Sequence, residues 1–350
     1  MSVTDDVVAE EPRAQARRRI IATFTEGHPL APPAYRGHQW AFLFLMGVVG
    51  IFVPMVFGGD LYHQGILNNV MLYAILSLGF YWCFSLAGQF TFAVFAMYAA
   101  GAYVSAWGAQ HLGGFWWGFA LAMVVTGLVG ALTRLVFYRL SPIYFAIATL
   151  GVGSLMLILF REWTSFTGGF QGVAIIAVPK FFGMDLNTPT RLYYLMLAVL
   201  FVFLAATVAA VRSPVMRELT FSRANPAVAS TTGLKPAHLI LIAFVVGSAM
   251  QGAAGSLYAH SSTFFSLESF DVSISLSVLL MVLLGGAESI YGPVIGAAIV
   301  VYLPELLRNQ REYADIIYSA LVLLIVLVFP TGVAGFRRVL AGLVHRARSS

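Results

Sequence analysis

Few residues in this 350-residue chain have the types and spacing that bond-making chemistry needs. There is one cysteine, Cys83, which excludes an intramolecular disulfide and a Cys-based zinc site. The histidines at 28, 38, 63, 111, 238, 260 and 345 show no pair at metal-ligand spacing. Only two lysines occur, Lys180 and Lys235, and neither follows a glycine. A phosphate-binding loop needs Gly-Lys-Ser/Thr, so the chain carries no ATPase site of that type. Glu288 is the only acid bounded on both sides by long apolar runs. A carboxylate inside lipid is costly and marks function by default, but at a turn between two spans it is solvated and cheap. The remaining candidates suit recognition and movement. One is Gly88-Gln89-Phe90-Thr91-Phe92, between two apolar runs. The other is an arginine-bearing stretch at 212–236.

Those groups must be positioned by elements that cross a membrane. Apolar residues make up 59% of the chain and Asp, Glu, Lys and Arg only 10%, with a mean hydropathy of +0.85. Soluble proteins average about 25% charged residues, so this chain cannot cover a soluble surface, and soluble enzymes are excluded. A spanning helix needs roughly 20 mostly apolar residues. Candidate spans lie at 40–59, 66–87, 90–109, 115–134, 143–160, 192–211, 237–259, 272–287, 289–304 and 316–336. The runs are continuously apolar rather than alternating, which favours helices over a strand barrel. The fold class is an all-α polytopic membrane bundle of about ten helices. Residues 1–39 hold five arginines and no apolar core, so they are not read as a signal peptide.

Lys and Arg placement sets the orientation. With both termini cytoplasmic, the inside segments are 1–39, 134–142, 212–236 and 337–350. They hold 15 of the 20 basic residues. The chain then divides into a cytoplasmic N-terminal segment 1–39, a membrane domain 40–336 and a cytoplasmic tail 337–350. The basic stretches 13–19 and 337–348 serve as topology signals and can also touch anionic lipid. The aromatic content of 14% is ordinary for interface belts and packed spans. Gly101/Ser105, Gly252/Ser256 and Gly292/Gly296 are small pairs at i, i+4 that let helices approach closely.

The inside stretch 212–236 begins Arg212-Ser213-Pro214 and continues through Arg217, Glu218 and Arg223. Asn225 is a good N-cap and Pro226 suits the first helical position. Ala227, Val228 and Ala229 follow, and Gly233 suits a left-handed C-terminal position. This reads as a short helix packed on a partner or on the bundle; the alternative is a solvated loop. Gly88 and Gln89 interrupt a helix, and an interruption exposes backbone groups that are tolerated where they line a cavity. Gln89 and Thr91 beside Phe90 and Phe92 suit a path for small, partly apolar solutes; the alternative is a tight turn at the interface.

The stretch 212–233 resembles the cytoplasmic coupling loop of LivM-type permease subunits of branched-chain amino acid ABC importers. The matching positions are Arg212, Ser213, Pro214, Arg217, Arg223, Asn225, Val228-Ala229 and Gly233. Ala224 and Pro226 stand where acids are common, and Met216 where Gly is usual. Gly88-Gln89-Phe90-Thr91-Phe92, followed by Gly101-Ala102-Tyr103, is similar to the family's Gly-Gln segment, with Ala93-Val94 replacing its Gly-His. Trp163 to Gly172 resembles its external Thr-Gly-Gly loop. Gly285 to Ala297 resembles its Gly-Gly and Gly-Pro-x-x-Gly-Ala segment, with Glu288 replacing a Gly.

The resemblance implies a permease that takes no cofactor itself. ATP and Mg would be bound by two cytoplasmic ATP-binding subunits. The other implied partners are a second related permease and an external solute-binding protein, in a bacterial inner membrane. The implied cargo is a branched-chain or other small apolar amino acid, with urea, short amides or aromatic acids as alternatives. The implied coupling residues are those of 212–233, and the implied path residues are Gly88, Gln89, Phe90, Thr91, Phe92 and Tyr103. Two other classes remain: an ion-coupled transporter acting alone through Glu288, and a membrane scaffold that moves nothing.

Overall fold

A computed structural model describes residues 38–56, 61–174, 180–181, 184–185, 188–216, 218–219, 236–262 and 264–306. The expected last span at 316–336, both terminal segments, and residues 217 and 220–235 lie outside the described residues.

The described chain is mostly helical. In order it forms α1 (His38–Val56), α2 (Leu61–Tyr81), α3 (Val94–His111), α4 (Phe115–Val136) and α5 (Pro142–Glu162). After these come the short α6 (Thr164–Thr167), α7 (Pro189–Arg212), α8 (Pro236–Ser261), α9 (Val272–Gly285) and α10 (Gly292–Leu306). Six helical stretches are long and apolar enough to cross a membrane: Leu61–Leu86, Phe115–Val136, Pro142–Glu162, Pro189–Arg212, Ala237–Ser261 and Leu267–Gly285. Two shorter apolar stretches lie at Leu43–Pro54 and Gly292–Glu305. Each of the first nine expected spans therefore has a helix, but the ten-span count is met only in part.

Three details differ from the sequence expectation. First, the fold is not strictly all-α. Val173–Ala174 (β1) pairs antiparallel with Phe264–Phe265 (β4), and Lys180–Phe181 (β2) with Met184–Asp185 (β3). Polar backbone in the connections finds partners in these two-residue ladders. Second, residues 90–93, expected as helix, are extended or turn. Third, α3 is not among the six long apolar stretches; it is an interior helix. Every residue from Val94 to Ala106 is buried. Its Ala, Gly and Ser side chains leave it too weakly apolar to face lipid, yet small enough to be wrapped on all sides.

The neighbouring helices show the reverse of soluble amphipathicity. On α4, Val124, Leu128, Leu132 and Leu135 are exposed, while Ala122, Thr126, Gly130 and Thr133 are buried. Lipid solvates the large apolar face, and small or polar residues let backbones approach on the other. α8 is the hub. A Cβ on Gly101 of α3 would overlap the backbone of Gly252 of α8. Ser105 Oγ and Ser256 Oγ share a hydrogen bond at 2.6 Å. Gly79 of α2 meets Gly247 of α8. Gly292 and Gly296 of α10 seat against Gly285 and Met281 of α9. All three small-residue pairs read from the sequence are thus helix crossings.

The helix ends sort into two faces. At one, Tyr62 donates to Glu305, Thr190 Oγ1 to Gln64 Oε1 at 2.9 Å, and β1 pairs with β4. At the other, the Arg212 guanidinium lies 5.5 Å from the Trp40 ring centroid.

Candidate functional site

α2 does not end in a simple turn. Its last residues, Trp82–Leu86, widen into a π-turn, a distortion that recurs at functional sites. Trp82 Nε1 is held by Thr207 Oγ1 at 2.9 Å. Gly88 then takes φ +70°, the left-handed position that a side chain resists. Gly88 N–H donates to Phe84 O at 3.1 Å and Gln89 N–H to Cys83 O at 2.9 Å, a paired closure of a helix C-terminus. Residues 88–91 have no regular structure, and α3 starts at Val94.

This interruption is packed inside the bundle. Ala87, Gln89, Thr91 and Ala93 are buried, and Gly88, Phe90 and Phe92 are half-buried. Irregular backbone so buried needs hydrogen-bond partners. Hydroxyls from three places supply them. Phe92 N–H donates to Thr149 Oγ1 of α5 at 3.0 Å, and Ala93 N–H to Thr91 Oγ1 at 3.2 Å. Phe95 N–H donates to Ser275 Oγ of α9 at 3.1 Å, and the same hydroxyl donates to Phe92 O at 2.8 Å. One serine therefore accepts from the first turn of α3 and donates to the Phe92 carbonyl in the irregular backbone before it.

The apolar side of the interruption is a stack of rings. Phe80 and Phe84 are parallel with centroids 5.5 Å apart, and Phe90 meets them edge-on at 6.1 and 5.9 Å. Phe92 meets Phe90 edge-on at 4.7 Å. Polar amide and hydroxyl groups thus sit beside a phenyl wall, an arrangement suited to a small solute with one polar and one apolar end. Gln89 Oε1 is buried without a hydrogen-bond partner among the described residues.

The structure unites Gly88, Gln89, Phe90, Thr91 and Phe92 but separates Tyr103 from them. Tyr103 lies about 14 Å further along α3, from nine residues at a 1.5 Å rise. It packs on Phe160, Phe265 and Phe270, with its hydroxyl buried and without a partner among the described residues. Phe265 is held by the β1–β4 ladder. Above it, Gly168, Gly169 and Gly172 all take positive φ, which explains the Thr-Gly-Gly spacing. Thr167 Oγ1 donates to Phe160 O and Trp163 O and accepts from Gly169 N–H.

Of the arginine-bearing stretch, Arg212, Ser213, Pro214 and Glu218 are described. Arg217, Arg223, Asn225, Pro226, Ala227, Val228, Ala229 and Gly233 lie outside the described residues. Ser213 ends α7 and caps the next turn: its Oγ donates to Ala210 O at 2.6 Å and accepts from Met216 N–H at 3.4 Å. Pro214 follows at the first position of that turn, where its missing N–H costs nothing. Met216 and Leu219, three apart on one face, are buried and anchor the stretch to the bundle. Arg212 also interacts electrostatically with Tyr291, which ties this start to the α9–α10 turn. Glu288 is exposed on that turn.

Sequence reasoning missed Thr149, Ser275, Met216 and Leu219. A lone Ser or Thr in an apolar run is common, and nothing in its spacing tells which backbone group it meets.

A family model for the permease component of a branched-chain amino acid transport system matches residues 62–329, which include the interrupted helix, the arginine-bearing stretch and both glycine-rich segments. The chain belongs to this permease family. The permease is 31% identical over 320 residues to the high-affinity branched-chain amino acid transport system permease protein LivM of Salmonella typhimurium, covering 85% of this chain and 75% of that one. LivM of Escherichia coli K12 is 29% identical over the same shares. LivH of Escherichia coli K12 is 25% identical, covering 78% of this chain and 95% of that one. No solved structure matches. As a LivM-type permease component of the ABC importer class, the chain is a multi-pass membrane transport subunit without an ATPase site of its own.

Proposed function

We propose that the permease moves a branched-chain or other small apolar amino acid inward across a bacterial cytoplasmic membrane by ATP-driven alternating access. The observation that carries this reading is the hydroxyl-capped interruption at 87–93 inside a chain of this family. It sets a polar amide against a phenyl wall, as a solute with a charged head and an apolar tail requires. The matches to both LivM and LivH support pairing with a second related permease. ATP and Mg sit on two cytoplasmic ATP-binding subunits, and an external binding protein delivers the solute. The membrane domain is 40–336, with ten spans and both termini cytoplasmic.

Coupling runs through 212–236. ATP-bound and free ATPases favour different permease states, and only such a difference can shift the bundle. Arg212, Ser213, Pro214 and Glu218 begin the coupling segment. Arg217, Arg223, Asn225, Pro226, Ala227, Val228, Ala229 and Gly233 complete it. Gly88, Gln89, Phe90, Thr91 and Phe92 line the solute path, with Tyr103 at its far end.

The test is a C-terminally tagged chain extracted in mild detergent from its native host. Two ATPase chains and a second permease are expected to co-purify. Their binding protein, screened against leucine, valine, urea, short amides and aromatic acids, is expected to bind the aliphatic amino acids. Recovery of the chain alone in several detergents would overturn the importer reading. Tight binding of an aromatic acid or amide would overturn the cargo.

A further inference from the structure

We propose that Gln251 of α8 and Gln89 form a polar clamp for the charged head of a neutral α-amino acid, midway along the solute path. This deepens the importer reading and rests on it.

Gln251 is 1% exposed and Gln89 9% exposed. Gln251 Nε2 and Gln89 Oε1 are both buried with no hydrogen-bond partner among the described residues. A structural glutamine in a helix core is normally paired, because leaving a buried amide unsatisfied costs about 1–3 kcal/mol. An apolar residue at either position would avoid that cost. Two such amides in one bundle call for a third party.

Their points of attachment also lie close together. A Cβ at Gly79 of α2 would stand 2.9 Å from Gln251 Cγ and 3.1 Å from Gln251 N, so Gln251 rests directly on the α2 backbone there. One turn further, the carbonyl of Cys83 holds the Gln89 N–H at 2.9 Å. Four residues at a 1.5 Å rise put the two attachment points about 6 Å apart along α2. Gly247, one turn before Gln251 on α8, meets Cys83 in the same seam, where its own Cβ would stand 2.7 Å from the Cys83 Sγ.

The chemistry selects the ligand class. A carboxamide carries both donors and an acceptor and no charge. One amide donating to a carboxylate and the other accepting from an ammonium matches a zwitterion whose charges cancel. A solute with a further ionised side chain would bring a buried charge that nothing in this pair balances. The adjoining Phe80, Phe84 and Phe90 rings provide the wall for an aliphatic side chain. Gln251 Nε2 and Gln89 Oε1 have no partner among the described residues, so a solute that meets them displaces no native pair there.

The test uses the complete importer in proteoliposomes, with its binding protein and L-leucine as the probe. Gln251→Leu is expected to lower the maximal uptake rate at least tenfold. Binding-protein affinity for leucine, binding-protein docking and melting temperature stay unchanged. Leucine carried per ATP hydrolysed falls with the rate, and Gln251→Asn restores part of it. A purely structural role would lower the melting temperature and leave that ratio intact. Where Gln251→Leu does lower the melting temperature, Gln89→Met carries the same comparison. A wild-type importer that moves no leucine overturns the amino-acid reading itself. A wild type that moves leucine alongside a fully active Gln251→Leu, or a fully active Gln89→Met, overturns the clamp alone.

Discussion

Ser275→Ala removes one oxygen from a site that is 1% exposed, and its cost follows from the groups it strands. The Phe95 N–H, 3.1 Å from Ser275 Oγ, lies in the first turn of α3, where no carbonyl four residues back is available. The Phe92 carbonyl, 2.8 Å away, lies in irregular backbone with no ladder to join. Neither group can turn to find another partner. Each buried, unsatisfied group costs about 1–3 kcal/mol, so stranding two is expected to cost about 2–6 kcal/mol. Ser105→Ala is the control. It also removes a buried hydroxyl, but the stranded partner is the Ser256 hydroxyl. A hydroxyl rotates and bonds to a carbonyl one turn back on its own helix. Its expected cost is about 0.6 kcal/mol, the average for side-chain hydrogen bonds between membrane helices. Equilibrium unfolding of the purified permease in mixed micelles of mild detergent and SDS reads both. A Ser275→Ala loss no larger than that of Ser105→Ala would refute the claim that α9 holds the interruption in place.

Three further outcomes are expected. Gly101→Ala places a methyl on the Gly252 backbone and is expected to cost at least the 1–3 kcal/mol of overpacking, read as a lost monodisperse peak on size exclusion. Gly151→Ala, in open space on α5, is expected to be neutral or slightly stabilising in the same assay. Arg217→Ala, or deletion of 225–229, is expected to abolish ATP-driven uptake while leaving yield and melting temperature unchanged. Normal uptake by either variant would remove this segment from coupling.

Much of the architecture was legible because lipid reads composition locally. Charge-free runs located the first nine helices to within a few residues. Glycines at fixed spacing located the helix crossings and the sharp turns, since only a missing side chain permits Gly101 on Gly252 or Gly88 at φ +70°. The interruption after Leu86 was also visible, as polar residues between apolar runs. Its extent was not. Residues 90–93 are apolar enough to read as helix, but the closure at Gly88 and the hydroxyls of Thr149 and Ser275 stabilise a non-helical path. Tyr103 shared a motif with Gln89 in the sequence, yet the rise of α3 carries it into the aromatic cluster beneath the β1–β4 ladder.

Residue order alone places the chain in a membrane, locates most of its helices and carries the family resemblance. Each of these rests on the composition of a contiguous stretch or on a motif within one. Which helices meet was settled in three dimensions, and with it that Ser275 closes a break 180 residues earlier and that Gln251 packs on α2 at Gly79. The reason lies in the solvent. Lipid is as apolar as the side chains, so helix pairing is selected by close packing and hydrogen bonds rather than by burial of a greasy face. Those contacts depend on small and polar residues that recur in many runs, and only the assembled bundle shows which of them face one another.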